Sequence, residues 1–109
     1  MATLFRNKVI KNVGTIPVEI AEIGPTSRAT VIGLSLTNLT QSFLYVNVFV
    51  EDDTSVSGYY LKETLLPANT SLRVVNQGEK LILAANNKLL VSSNIDDSID
   101  VIMSYVEIT

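Results

Sequence analysis

The stretch TVIGLSLTNLTQSFLYVNVFV, residues 30–50, decides the fold. Ile32, Leu34 and Leu36 recur with period two, and after a polar break Leu44, Val46, Val48 and Val50 do the same, which is the spacing of strands with one buried face. The opposite faces carry Gly33, Ser35 and Thr37 in the first run, then Tyr45, Asn47, Phe49 and Glu51 in the second. The second run is therefore apolar inside and only half polar outside. Asn38-Leu39-Thr40-Gln41-Ser42 between them has the length of a hairpin loop, so the reading pairs these two strands antiparallel.

The same texture extends in both directions. Val, Ile and Thr make 33 of the 109 residues, and their branched side chains favour the pleated strand. Turn-forming clusters recur at Gly14-Thr15, Gly24 to Ser27, Asn38 to Ser42, Asp52 to Gly58, Pro67 to Ser71, Asn76 to Gly78, Asn86-Asn87 and Asn94 to Ser98. About eight to nine strand-length runs remain between them. In the last, Ile99, Val101, Met103 and Tyr105 are in phase and Val106 and Ile108 are out of phase, which predicts a bulge or a second buried face near Tyr105. Tyr60 to Leu66 is the best helical candidate and supplies one turn at most before Pro67. A single open sheet would leave much Val and Leu in water, whereas two packed sheets bury one face of each. The expectation is an all-β single antiparallel β-sandwich, immunoglobulin-like or jelly-roll, in one domain over residues 1–109. Two weak internal echoes, residues 36–42 with 91–98 and 24–31 with 66–74, fit two Greek-key halves, and turn composition alone would produce them as well.

Composition removes most catalytic chemistry. The chain has no Cys, no His and no Trp, so thiol nucleophiles, disulfides, zinc ribbons and imidazole proton shuttles are absent. Neither Ser-x-x-Lys nor Gly-x-Ser-x-Gly occurs, and the five glycines are too scattered to cradle a phosphate. No enzyme activity and no cofactor is expected. The acidic clusters at 51–53 and 96–100 lack the spacing of a calcium loop and read as solvated turns, with a cation site as the alternative. The opening residues MATLFRNKVIKNV are too interrupted for a secretory leader, and no stretch is apolar enough for a helical membrane span.

The net charge is −3, from 8 basic and 11 acidic residues, yet Arg6, Lys8 and Lys11 make residues 1–13 a basic strand or arm on an acidic body. A nucleic-acid partner would call for a broader basic field with exposed aromatics. The basic strip reads first as the polar face of the first strand, with docking onto an acidic protein neighbour as the alternative. Tyr59 and Tyr60 are adjacent on a strand, so one points to the core and the other outward, where it serves edge packing first and, as the alternative, anchors a partner or a glycan. Tyr45 and Phe49, on the second face of their strand, are candidate contacts for a homo-oligomer or a capsid.

Several segments carry a family likeness: Thr30 to Leu34 with Asn38, Val46 with Val48, Tyr59 to Leu61, Pro67 with Ser71, Leu72 and Val74, and Asp100, Val101, Ser104, Glu107 and Ile108. In this pattern the chain resembles small virion structural proteins of tailed bacteriophages, especially those infecting cyanobacteria. The resemblance implies a non-enzymatic virion component, foremost a capsid decoration or cement protein bound to the major capsid protein or other virion proteins. A neck, collar or tail-fibre module, able to bind a host glycan or receptor, is the alternative. The resemblance carries over no catalytic or ligand-binding residues.

Overall fold

Nine antiparallel strands in two sheets enclose one apolar core in the computed structural model, which describes residues 2–75 and 80–109. The strands are β1 (Thr3–Val13), β2 (Val18–Glu22), β3 (Arg28–Asn38), β4 (Leu44–Glu51), β5 (Ser57–Leu66), β6 (Ser71–Val75), β7 (Leu81–Leu83), β8 (Lys88–Ser93) and β9 (Ile99–Ile108). The front sheet runs β1-β9-β3-β6, with β7 also paired to β3, and the back sheet runs β2-β8-β4-β5. No described residue is helical. The expected turn at Asn76 to Gly78 falls outside the described residues.

The order of the strands identifies the topology. β6 and β7 lie along the same side of β3 and act as one interrupted strand. Then β1 pairs with β9, β2 with β8, β3 with β6 and β7, and β4 with β5, the nested pairing of one long antiparallel ribbon. Wrapping that ribbon sets β9 beside β3 and β8 beside β4. This is a jelly roll, so of the two expected β-sandwich types the second is found.

Alternation fills the core. Leu34, Leu36, Val101 and Met103 from the front sheet face Leu44, Val46, Val48, Leu89 and Val91 from the back sheet, each 2% exposed or less. Burying a side chain of this size contributes about 1.5–3 kcal/mol, so these residues supply the main drive for folding. Among the described residues no buried side-chain polar atom lacks a partner.

Four local expectations are corrected. β3 and β4 do not pair: they lie in different sheets, and residues 39–43 cross between them. The cause is Asn38, 1% exposed, whose Nδ2 donates to the carbonyls of Ser42 (2.9 Å), Pro67 (3.0 Å) and Leu66 (3.1 Å). Its Oδ1 accepts from the Thr40 amide and hydroxyl, both at 2.8 Å. That bonding turns the chain out of the front sheet. Ile32 does not share the inner face with Leu34 and Leu36 but is 48% exposed, because the register of β3 against β9 slips between Val31 and Gly33. The irregularity expected near Tyr105 therefore sits opposite it, in β3, while β9 pairs with β1 without a break from Val101 to Ile108. Tyr60 to Leu66 forms no helical turn and belongs to β5, where two register shifts against β4 and a positive φ of 46° at Glu63 break the alternation that would have marked a strand. The segments in both internal echoes prove to be crossings between sheets.

Candidate interaction surfaces

Directly paired residues share a face of a sheet, so the pairing register gives each outer surface row by row. On the front sheet one row is Phe5, Val106, Thr30 and Ile82, and another is Val9, Ile102, Ser35 and Arg73. Between them lies a row of small or polar residues, Asn7, Ser104 and Gly33, with Ile32 bulged out beside it. Phe5 is 81% exposed, Ile82 60% and Val9 59%, so water covers an apolar surface that the core does not use. Shallow depressions of about 580 and 360 Å³ flank Ile32, the first reaching Phe5 and Asn7 and the second Arg73 and Ile102.

The back sheet presents a different surface. Its central row is Tyr59, Phe49, Leu90 and Glu19, next to Ser57, Glu51, Lys88 and Glu22. The Phe49 and Tyr59 rings meet at 5.8 Å, and Lys62 lies 5.3 Å above the Tyr59 ring. Phe43 and Tyr45 form a second, edge-to-face pair at 5.9 Å. Lys88 is shared among Glu19 (3.7 Å), Glu22 (3.8 Å) and Glu51 (4.0 Å), so three carboxylates divide one ammonium.

The residues singled out in sequence thus separate into two groups. Tyr45, Phe49 and Tyr59 come together on the outer back sheet. Tyr60 turns inward and packs partly against the core, which meets the expectation of one tyrosine in and one out. Arg6, Lys8 and Lys11 lie on β1, an edge strand of the front sheet that is integrated by pairing with β9. Arg6 Nε donates to Glu107 Oε1 at 2.8 Å, but Arg6 is half exposed and such pairs contribute about 0–1 kcal/mol. Nearby, burial, and after it the Glu107 charge, push the Tyr105 hydroxyl above its usual pKa, opposed by Arg6.

The acidic loops are occupied with their own structure. Asp52 accepts from the Thr54 hydroxyl (2.7 Å) and from the Thr54 (2.9 Å) and Val56 (3.0 Å) amides, which holds its carboxyl below the usual range. Asp96 accepts from the Thr15 hydroxyl at 2.7 Å and amide at 3.3 Å, with the same effect. Asp100 accepts from the Asn12 amide. Among the described residues no group of three or more carboxylates converges as a metal site would require.

Phe5, Val9, Ile82 and Ile102 were missed as surface candidates. Their signal was available: Phe5 and Val9 alternate with Arg6 and Lys8 of β1, and Ile102 shares the phase of Val106 and Ile108. What one strand could not show is that β1 lies beside β9 and brings these residues together.

No protein-family model matches the chain, and no curated protein is similar to it in sequence. Solved structures share its fold. A chain from the disulfide-linked pili of Bacillus endospore appendages superposes with a TM-score of 0.58 at 8% identity, over 98% of this chain and 88% of that one. A chain of the T13 particle of infectious bursal disease virus gives 0.55 at 9% identity, over 96% of this chain and 30% of its own length. The VP2 protein of the same virus, in derived T=1 particles, gives 0.51 at 9% identity, over 94% and 31%. This chain thus spans less than a third of the viral chains. It is an all-β jelly-roll sandwich, a fold it has in common with a pilus chain and with viral capsid chains.

Proposed function

We propose that this protein is a non-enzymatic structural subunit of a tailed-phage virion, a decoration or cement protein that stabilises the capsid through protein contacts. The observation that carries this reading is the outer front sheet, where Phe5, Val9, Ile32, Ile82 and Ile102 are exposed on a sandwich whose core is already complete. Apolar surface gathered in this way on a folded domain marks an interaction site. Support comes from the resemblance to phage virion proteins and from fold neighbours taken from a viral particle and a pilus. The chain has no cysteine, so the disulfide linkage of that pilus is not open to it. A cement protein acts by mass action: binding to the assembled shell and not to its parts stabilises the shell, and many copies multiply a modest term. Added at saturating occupancy to phage shells lacking it, the protein should raise the temperature at which they rupture. Unchanged rupture at full occupancy would refute the cement role.

The alternative, a neck, collar or tail-fibre module binding host glycan, draws on the exposed Tyr59 and the neighbouring 52–56 loop. Lys62 over the Tyr59 ring competes with a sugar for that stacking face. Binding to host-surface glycans abolished by Tyr59→Ala would favour this reading over the first.

A further inference from the structure

We infer that copies of this protein associate front to back, the outer front sheet of one copy seated on the outer back sheet of the next. The inference rests on the reading of the protein as an assembly subunit and specifies the partner for those surfaces. Shape is the first ground. Along the row Asn7, Ser104 and Gly33 the front surface has two shallow depressions, one on each side of the bulged Ile32, bounded by Phe5 on one side and by Ile102 on the other. The back surface has a ridge, Tyr59, Phe49 and Leu90 in one row. Large side chains of that ridge fit the depressions on either side of Ile32 in another copy, the way facing sheets interdigitate within a sandwich.

Charge is the second ground. The outer front surface carries Arg28 and Arg73, both exposed and neither in an ion pair among the described residues, against one carboxylate, Asp100, so its surplus is positive. The back rows carry Glu19, Glu22 and Glu51 against Lys88 and, over the Tyr59 ring, Lys62, a surplus of one negative charge. Front against back pairs opposite signs, whereas front against front or back against back opposes like signs. Size is the third. The molecule's longer extents of 45 and 27 Å give a broad face sufficient for the roughly 800 Å² that a standard interface buries per partner. Because the two surfaces differ, the contact is heterologous and generates a ring or an open row of copies.

Charge reversal on each face provides the test. Sedimentation velocity of the intact chain should show self-association that weakens at least tenfold as ionic strength rises from about 0.01 to about 0.15 M. The front variant Arg28→Glu/Arg73→Glu and the back variant Glu22→Lys/Glu51→Lys should each be monomeric, and an equimolar mixture of the two should associate again. All four positions lie on outer sheet surfaces, and circular dichroism with thermal melting verifies that each variant is folded. A second front variant, Ile102→Ser, should weaken association without changing charge. A chain that stays monomeric at every concentration overturns the inference, as does retained association in either reversed variant alone, which would indicate a symmetric front-front or back-back dimer. A monomeric chain that still raised shell rupture temperature would leave the cement role intact while removing front-to-back contact.

Discussion

The two ends of the sandwich are held in different ways. At the end where residues 14–17, 39–43, 67–70 and 94–98 gather, bonds run between loops distant in sequence. The Leu39 amide donates to Ser98 O, the Asn38 amide to Thr70 O, the Asn69 amide to Thr40 O and the Ser93 amide to Gly14 O, at 2.8 to 3.2 Å. Tyr45 and Asn94 add a reciprocal pair, Asn94 N to Tyr45 O and Tyr45 N to Asn94 Oδ1. At the opposite end most bonds stay within a single loop: Ser27 to Gly24, Asn87 to Ala84, and the Asp52 to Val56 turn. Among the described residues, the remote bonds there join Ile23 to residues 86–87 and Ala2 to Thr109.

A bond within a loop can survive when the sandwich opens, whereas a bond between remote loops exists only in the folded state. The laced end should therefore control global stability and the other end only local opening. The laced end also contains the β3–β4 and β8–β9 crossings, so it fixes how the front and back surfaces are set relative to each other. Asn38→Ala should produce the largest loss. It removes a buried group serving three carbonyls and the Thr40 amide and hydroxyl, including the buried bond to the Leu66 carbonyl. The expected cost is about 2–3 kcal/mol, read as a fall of about 10 °C or more in Tm. A loss below about 0.5 kcal/mol by denaturant titration would mean that the crossing is held by packing alone.

Gly14→Ala should come next. An added Cβ would lie 2.9 Å from Asp96 Cα and 3.0 Å from the Asp97 amide nitrogen, and backbone cannot swing aside as a side-chain tip can. The expected cost is about 1–2 kcal/mol, with faster hydrogen exchange at the Ser93 and Ser98 amides, which bond to Gly14 O and Val13 O. Gly58→Ala, with nothing within 4 Å of its Cβ, is the matched control at a site outside the laced end and should leave those amides unchanged.

How much of this was legible in the sequence follows the distance over which each feature is determined. Period-two alternation revealed Leu44, Val46 and Val48 as a core face because alternation is a property of one strand. The fold class came from the same local signal repeated along the chain. The partner of β3 was not legible: a five-residue polar loop serves a hairpin and a crossing between sheets equally, and what decides is Asn38 reaching the carbonyls of Leu66 and Pro67, 28 and 29 residues on. Ile32 was misplaced for a related reason, since a one-residue slip against β9 leaves no mark in the composition of β3. The outer back surface was half visible, because Tyr45 and Phe49 lie on one strand. The outer front surface was not, because Phe5, Ile82 and Ile102 come from three strands that only the topology brings side by side.

The smallest expected effect separates the two ends by pH. Asp96 and Asp52 both have carboxyl groups held below the ordinary 3.8, chiefly by a threonine hydroxyl and then by backbone amides. A lowered folded pKa means that the stabilising contribution is complete above that ordinary value and is lost as pH falls through the folded one. The contribution counts only if the unfolded chain lacks the same bonds. Asp52 is bonded to residues two and four positions away, a turn that an unfolded chain can still sample, whereas Thr15 is 81 positions from Asp96 and is lost on unfolding. Asp96→Asn should therefore flatten the decline of Tm between about pH 5 and about pH 2 more than Asp52→Asn does. Equal flattening by the two variants would show that the Asp52 turn is as dependent on the folded sandwich as the Asp96 bridge is, and that the second end is less independent than its bonding pattern implies.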